Sequence, residues 1–335
     1  IVTGLVGSEM CIRDSKNTTL VLDNESASEL TRFKTPWLVS TIDWVDSTKR
    51  KAIVWLCETT GKSILKLTDE DYNKNGLSDL LALEGSSYDL NINMFNHFQN
   101  TITGWPGGKP GADDSTRPER KSPNSKRVII FSPHPDDDVV SMGGTFDRLV
   151  SQGHEVHIAY QVKGNIAVSD HDALKFIEVS KDMFKNNSKV PVGQLIKELV
   201  NNKPDKIDSQ AVRDLKGFIR KREAIAATRY IGIPDSNTHF MNLPFYDTGR
   251  IKKNPPTTKD VLITASLIKK IKPHQIFAAG DLEDPHGTHK VCLDVILDAL
   301  DTLKGEKFIK DCWLWLYRGA WLDWDVHDID MALSL

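Results

Sequence analysis

RVIIFSPHPDDDVVSMGGT, residues 127–145, is the stretch that decides how this chain folds. RVIIF (127–131) is a run of β-favouring apolar residues without polar alternation. That composition marks a strand buried on both faces, the kind found in parallel sheets covered by helices. SPHPDDD (132–138) leaves the strand directly, and apolar residues return at helical spacing from Ser141 to Ser151. Strand, polar loop and helix form the opening unit of an α/β fold. In such sheets ligands sit outside the carboxyl ends of the strands. SPHPDDD therefore lies where chemistry is expected.

Outward from this stretch the alternation continues. HEVHIAYQ (154–161), THFMNL (238–243), QIFAAG (275–280) and CWLWLY (312–317) read as strands. Residues 171–186, 208–230, 259–271 and 289–303 carry helical periodicity. The expected fold is α/β, a doubly wound, mostly parallel, Rossmann-like sheet over 127–335. Upstream, WPGGKPGADDSTRPERKSPNSK (105–126) is rich in Gly, Pro, Ser and charge and reads as a linker. Residues 16–104 read as a small, mostly helical region. It holds a strand at 18–23, a polar capped stretch from Ser26 to Leu30, helices over 47–57, 77–83 and 89–99, and a strand-to-helix exit over 65–72. No internal repeat is present.

The composition is that of an ordinary globular protein: 39% apolar and 27% charged residues over 335 positions. A net charge of −3 argues against a nucleic-acid or anionic-membrane partner held by bulk charge. No apolar run approaches the ~18 residues of a spanning helix. Cys11, Cys57, Cys292 and Cys312 form no CxxC pair. They read as free thiols of a reducing compartment, which points to the cytoplasm and away from a cysteine-based zinc site. The oligomeric state stays open, homo-oligomers included. IVTGLVGSEMCIRDS (1–15) has too short an apolar run for a signal peptide. It resembles translated sequencing-adapter read-through and is left out of the fold reading.

A second motif, DPHGTHK (284–290), follows the strand QIFAAG. Two strand-exit loops thus fall on one edge of the sheet. His and Asp both suit zinc, an ion that accepts nitrogen and oxygen donors. His134 and Asp137 are three residues apart, and Pro135 stiffens the turn between them. Asp136 need not be a ligand and can take a proton from a metal-bound water. His286 and His289 offer further imidazoles at a helix start. Three protein ligands with a fourth position open is the catalytic zinc pattern. Each motif also has a plainer reading. An Asp cluster after a strand is often a helix N-cap, and an HxxH pair can be surface decoration. Gly143 and Gly144 read as close helix packing rather than a phosphate site.

With these motifs in place, residues 127–330 resemble the LmbE-like, or PIG-L, family of zinc-dependent N-acetylglucosamine deacetylases. The resemblance runs in order through RVIIFSPHPDDDVVSMGGT, IRKREAIAATRYIGIP, LPFYDTG and DPHGTHKVC. It implies one zinc ion per chain, held by His134, Asp137 and His289. It also implies Asp136 as general base and His286 as the group that stabilises the oxyanion or protonates the leaving amine. Arg220 and Asp247 fall where family members contact the sugar; their plainer readings are a helix-surface pair with Glu223 and a turn Asp before Gly249. Two departures bear on the ligands' surroundings. Asp138 stands where the family usually has Glu, and Thr288 replaces the acid expected to orient His286, a task left to Asp284 or Glu283.

Residues 16–104 carry a looser resemblance. TTLVLDNESASELT (18–31) is similar to the last strand and helix of a glucosamine-6-phosphate deaminase domain. The stretch through the linker resembles the connector in bacterial fusions of that deaminase to an LmbE-like domain. The deaminase's catalytic loops are not in this sequence, so deaminase activity is not expected from it. Two functional readings follow. One is a zinc amidohydrolase acting on an N-acetylated amino sugar, or in a wider scope on a thiol- or lipid-linked sugar. The other is a non-catalytic metal- or sugar-binding module attached to a deaminase. The aromatic tail WLYRGAWLDWD (315–325) suits sugar stacking, but more often such residues fill a core or an interface.

Overall fold

The computed structural model describes residues 23, 27, 30–104, 123–183, 192–202, 207–250 and 252–334. The leader 1–15, all but the last residue of the strand expected at 18–23 and most of the 105–126 linker lie outside them. The chain divides into two compact units, Ile1–Asn100 with Val326–Ile329 and Thr101–Asp325 with Asp330–Leu335. Among the described residues, no helix is long and apolar enough to cross a membrane, and Cys57, Cys292 and Cys312 are unbridged.

The first unit is helical. A single turn, α1 (Thr31–Lys34), precedes α2 (Asp46–Thr60), α3 (Asp69–Lys74), α4 (Ser78–Glu84) and α5 (Ser87–Thr101). Ala52, Ile53 and Leu56 recur at helical spacing on α2 and are fully buried. The strand expected within 65–72 is absent. Ile64–Lys66 is a 3-10 turn, and Thr68 opens α3 through a reciprocal cap with Asp71. Three acids in the first turn of α3 favour that helix start. A four-residue alternation cannot outweigh these local signals without a partner strand. Tyr72 donates to Asn91 Oδ1 (2.7 Å), and Asn91 Nδ2 donates to the Leu67 carbonyl (2.7 Å). The buried polar groups between α3 and α5 are thereby satisfied.

The second unit begins with β1 (Ile102–Thr103). It continues through β2 (Arg127–Ser132), α6 (Asp137–Ser151), β3 (Glu155–Tyr160), α7 (Asp170–Met183), α8 (Val192–Val200), α9 (Gln210–Ile231) and β4 (Thr238–Phe240). Then come α10 (Thr258–Ile271), β5 (Gln275–Ala279), α11 (Thr288–Thr302), β6 (Trp313–Tyr317) and β7 (Ala332–Leu333). β1 and β7 form a two-stranded parallel pair. The main sheet has the order β4-β3-β2-β5-β6, with every pair parallel. The chain runs outward from β2 to β4, then returns to the other side for β5 and β6. Strand order therefore reverses between β2 and β5.

Side chains alternate across the pleat. Val128 and Ile130 of β2 join one core with Phe146 and Leu149 of α6. Ile129 and Phe131 join the opposite core with Ile268 of α10 and Ile296 of α11. All four β2 residues are fully buried, as the unbroken apolar run demanded.

The expected strands and helices of this unit appear with shifted ends. α6 starts at Asp137 rather than Ser141 and kinks at Met142 (φ −142, ψ 25). Close packing does not explain Gly143, where an added Cβ would meet nothing nearer than Val139 Cγ1 at 4.0 Å. β4 stops at Phe240, and Asn242 then takes a left-handed φ of 48. α8 was not expected. Its nine residues bury Leu195 and Leu199 one turn apart, too short a window for periodicity to separate a helix from other structure.

One buried carboxylate links fold to site. Asp260 Oδ2 accepts from Thr257 N (2.8 Å) and caps α10, while Oδ1 accepts from Phe245 N (3.0 Å). It thereby anchors the turn Pro244–Tyr246. We expect Asp260→Ala to cost about 2–4 kcal/mol, the loss of a cap plus a charge-assisted hydrogen bond. Urea denaturation measures this; a loss below about 0.5 kcal/mol would deny the anchor role.

Candidate metal and substrate site

Ser132 ends β2 and organises the loop that follows. Its Oγ accepts from Asp138 N (3.1 Å) and also meets the His134 carbonyl. Asp138 is fully buried, with Oδ2 accepting from Tyr160 OH (2.8 Å) and Oδ1 lying 3.2 Å from Ser132 Oγ. Asp138 thus faces β2 and β3 and not the cavity. Burial pushes its carboxyl up to about 6, against the lowering effect of its hydrogen bonds to Tyr160 and Ser132. The shorter side chain at this position, compared with Glu, reaches both hydroxyls. Asp137 Oδ2 accepts from His134 N (2.7 Å), which closes the turn.

The loop after β5 is built as firmly. At Gly280 an added Cβ would lie 2.7 Å from Trp324 Cζ2, so only glycine fits. Both oxygens of buried Asp284 are used by the start of α11: Oδ2 accepts from Thr288 N (3.0 Å) and Oδ1 from His289 N (2.9 Å). Asp284 therefore caps α11 and does not orient His286. His289 Nδ1 lies 3.1 Å from the Asp281 carbonyl. A carbonyl only accepts, so Nδ1 carries the proton and Nε2 faces Asp137.

These two loops bring His134, Asp137 and His289 together, with one ligand atom from each within 4.8 Å of the others. Asp137 Oδ2 is 3.3 Å from His134 Nδ1 and 3.4 Å from His289 Nε2. A tetrahedral zinc site with bonds of about 2.0–2.2 Å places adjacent donors roughly 3.3–3.5 Å apart. The donor set and its spacing therefore fit a zinc ion. Burial works to raise the Asp137 carboxyl, but the two imidazoles outweigh it and hold the group well below the usual carboxylate range. Burial likewise opposes charge on His289, and the Asp137 carboxylate overcomes it and shifts the imidazole upward. A bound cation would take over the role of those protons.

A cavity of about 260 Å³ opens over this set. Asp136, His286 and Arg220 line it, as do Trp321 of the aromatic tail and two side chains that the sequence did not point to, Tyr246 and Lys253. Asp136 Oδ2 accepts from Arg220 Nη2 at 2.6 Å. Arg220 also meets Glu223 at 3.1 Å, so its helix-surface pair and its place in the site coexist. His286 is exposed on the cavity wall. Asp247 does not line the cavity. Its carboxylate is instead paired with Lys163 (3.3 Å) and Arg213 (3.4 Å). Trp321 is 56% exposed at the rim, and its backbone N–H donates to Asp281 Oδ2 (2.8 Å). The aromatic tail therefore contributes a wall residue as well as packing.

Gly164 also lies in the wall, and as a lone glycine in the loop after β3 it is a signal the sequence carries. It adopts φ +63, and an added Cβ would lie 2.7 Å from Pro135 Cδ. Only glycine lets the loop after β3 approach the His-Pro-Asp turn this closely.

The Asp138 shift has a defined consequence for stability. A carboxyl raised above its unfolded value stabilises the fold fully below pH ~4, and that contribution is lost as pH rises through about 6. The loss is on the order of 3 kcal/mol. Asp138→Asn, which stays neutral, should flatten this part of the profile. Denaturation of both metal-free proteins at pH 4.5 and 7.5 measures it, and identical slopes would contradict the assignment.

The GlcNAc-PI de-N-acetylase (PIG-L) family profile matches residues 129–300, a span that includes both loops. The chain is also 51% identical over 333 residues to a glucosamine-6-phosphate deaminase-like protein of Bacteroides thetaiotaomicron, covering 97% of this chain and 50% of that protein. The chain thus spans about half the length of the curated relative it matches. Similar solved structures include a deacetylase of the teicoplanin biosynthesis pathway, at 18% identity, 58% of this chain, 67% of that one and a TM-score of 0.34. Another is the 4-carboxy-2-hydroxymuconate hydratase GalB of Pseudomonas putida, at 16% identity, 55% of this chain, 59% of that one and a TM-score of 0.34. With the profile matching more than half of its residues, the chain belongs to the GlcNAc-PI de-N-acetylase (PIG-L) family.

Proposed function

We propose that this chain is a zinc-dependent N-deacetylase that removes the acetyl group from an N-acetylated amino sugar. The observation that carries this reading is the His134, Asp137 and His289 donor set at the reversal of strand order, with Asp136 beside it and free of ligand duty. The family's description names a de-N-acetylase, and the relative's name concerns an amino-sugar phosphate. Both support an amino-sugar substrate.

His134, Asp137 and His289 would hold the zinc ion, which when bound would supply Lewis acidity and lower the pKa of water toward neutrality. Asp136 projects into the same cavity with its carboxylate steadied by Arg220. It accepts the proton that the attacking water loses. Attack on the acetamide carbonyl carbon puts negative charge on its oxygen, and His286 on the wall can donate a hydrogen bond to that oxygen or a proton to the nitrogen. The C–N bond then breaks, releasing acetate and a free amine. Trp321 offers a flat apolar face against which a sugar ring can stack.

The test is acetate release from N-acetylglucosamine compounds. A chelator should stop it and zinc should restore it. Asp136→Asn should lower turnover by at least about 100-fold while zinc content stays close to one ion per chain. His289→Ala should lose the zinc itself. Full activity in Asp136→Asn, or undiminished activity in the metal-free protein, would refute the reading.

A further inference from the structure

Most cations around the cavity already have carboxylate partners. Arg220 pairs with Asp136, and Lys163 pairs with Asp214 and Asp247. Lys253 does not follow this pattern. It is half-buried and lines the same cavity as the zinc-ligand set. Its Nζ donates to the Arg250 carbonyl (2.7 Å) and lies 3.7 Å from the centre of the Tyr246 ring. Among the described residues it forms no ion pair. Burial lowers its ammonium to about 8, with the Asp247 carboxylate acting the other way. An aromatic face compensates a desolvated ammonium only in part, and a carboxylate or phosphate would complete the compensation.

Position adds the second half of the argument. Tyr246 meets the His134 ring at 6.0 Å between centroids and carries Lys253 on its face. The ammonium therefore stands one aromatic ring away from the zinc ligands, the length scale of one hexose. Tyr246 is itself held by the Asp260-anchored turn, so the ammonium has a rigid seat.

We propose that Lys253 is a specificity residue that reads an anionic group, a phosphate ester or a carboxylate, on the amino sugar whose acetamide lies at the zinc site. The placement of the acetamide rests on the deacetylase reading; the anion-binding role of Lys253 does not. Zinc-loaded full chain is titrated calorimetrically with glucosamine, glucosamine 6-phosphate and muramic acid. At least one anionic ligand should bind about tenfold or more tighter than glucosamine, and the preference should weaken with added salt. In Lys253→Met the ratio should fall toward one, and in Lys253→Arg it should largely remain. The phosphate and carboxylate arms identify which anion is read. Equal binding of all three ligands by the wild type overturns the proposal, as does a preference that survives in Lys253→Met. Should Lys253→Met fail to fold, Lys253→Gln replaces it under the same criterion. Acetate release from the N-acetylated forms is measured alongside. A Lys253-dependent preference without acetate release defeats only the deacetylase reading; acetate release without that preference defeats only this one.

Discussion

The parallel pairing of β2 with β5 is the constraint on which the rest of the second unit depends. Val128, Ile129 and Ile130 lie opposite Gln275, Ile276 and Phe277, although well over a hundred residues separate the two strands. The strands run in the same direction, so their carboxyl ends reach the same edge. The loop Ser132–Asp138 and the loop between β5 and α11 are thus set side by side. In an antiparallel pairing the two loops would leave opposite ends of the sheet, and His134 and His289 could not share an ion. The pairing in turn depends on β2 being apolar on both faces, because each face buries against a separate layer of helices.

At the centre of the site the balance is electrostatic. Three carboxylates surround the ligands without contacting one another's partners. Asp138 is held by hydroxyls of β2 and β3, Asp284 by helix amides, and Asp281 by the Trp321 amide. Each anion out of water has a donor to offset its desolvation. Asp137 differs in that its partners are two imidazoles, which are also the natural co-ligands of a cation. The same three groups hold one another by charge and hydrogen bonding in this structure, in the spacing that a cation would require.

The walls of the cavity come from separate parts of the chain. Arg220 comes from α9, Tyr246 and Lys253 from the segment before α10, and Trp321 from the segment after β6. The floor of His134, Asp137 and His289 is rooted at the strand exits of the sheet, while Tyr246, Lys253 and Trp321 sit on longer connections and Arg220 on a helix. Such connections vary most easily without unfolding the scaffold. This division puts His134, Asp137 and His289 on the floor and Tyr246, Lys253 and Trp321 on the walls.

Local physics made much of this legible in the sequence. The run RVIIF, its polar exit and the later strands were readable because periodicity and composition act over a few residues. The resemblance added the zinc-ligand roles. Contacts between distant segments were not readable. Arg220 reaches Asp136 across 84 positions, and only the packing of α9 beside the loop places it there. Asp247 looked equally suited to a sugar but is claimed by Lys163 and Arg213. Nothing local in the sequence marks Lys253; only the turn before α10 lays its ammonium on Tyr246. The sequence by itself determined the parallel α/β layering and the two His- and Asp-rich loops at the strand exits, because buried strands and motif spacing are local patterns. Only the tertiary structure decided which charged groups face the cavity, because that choice depends on which partner the packed helices and loops place beside each charge.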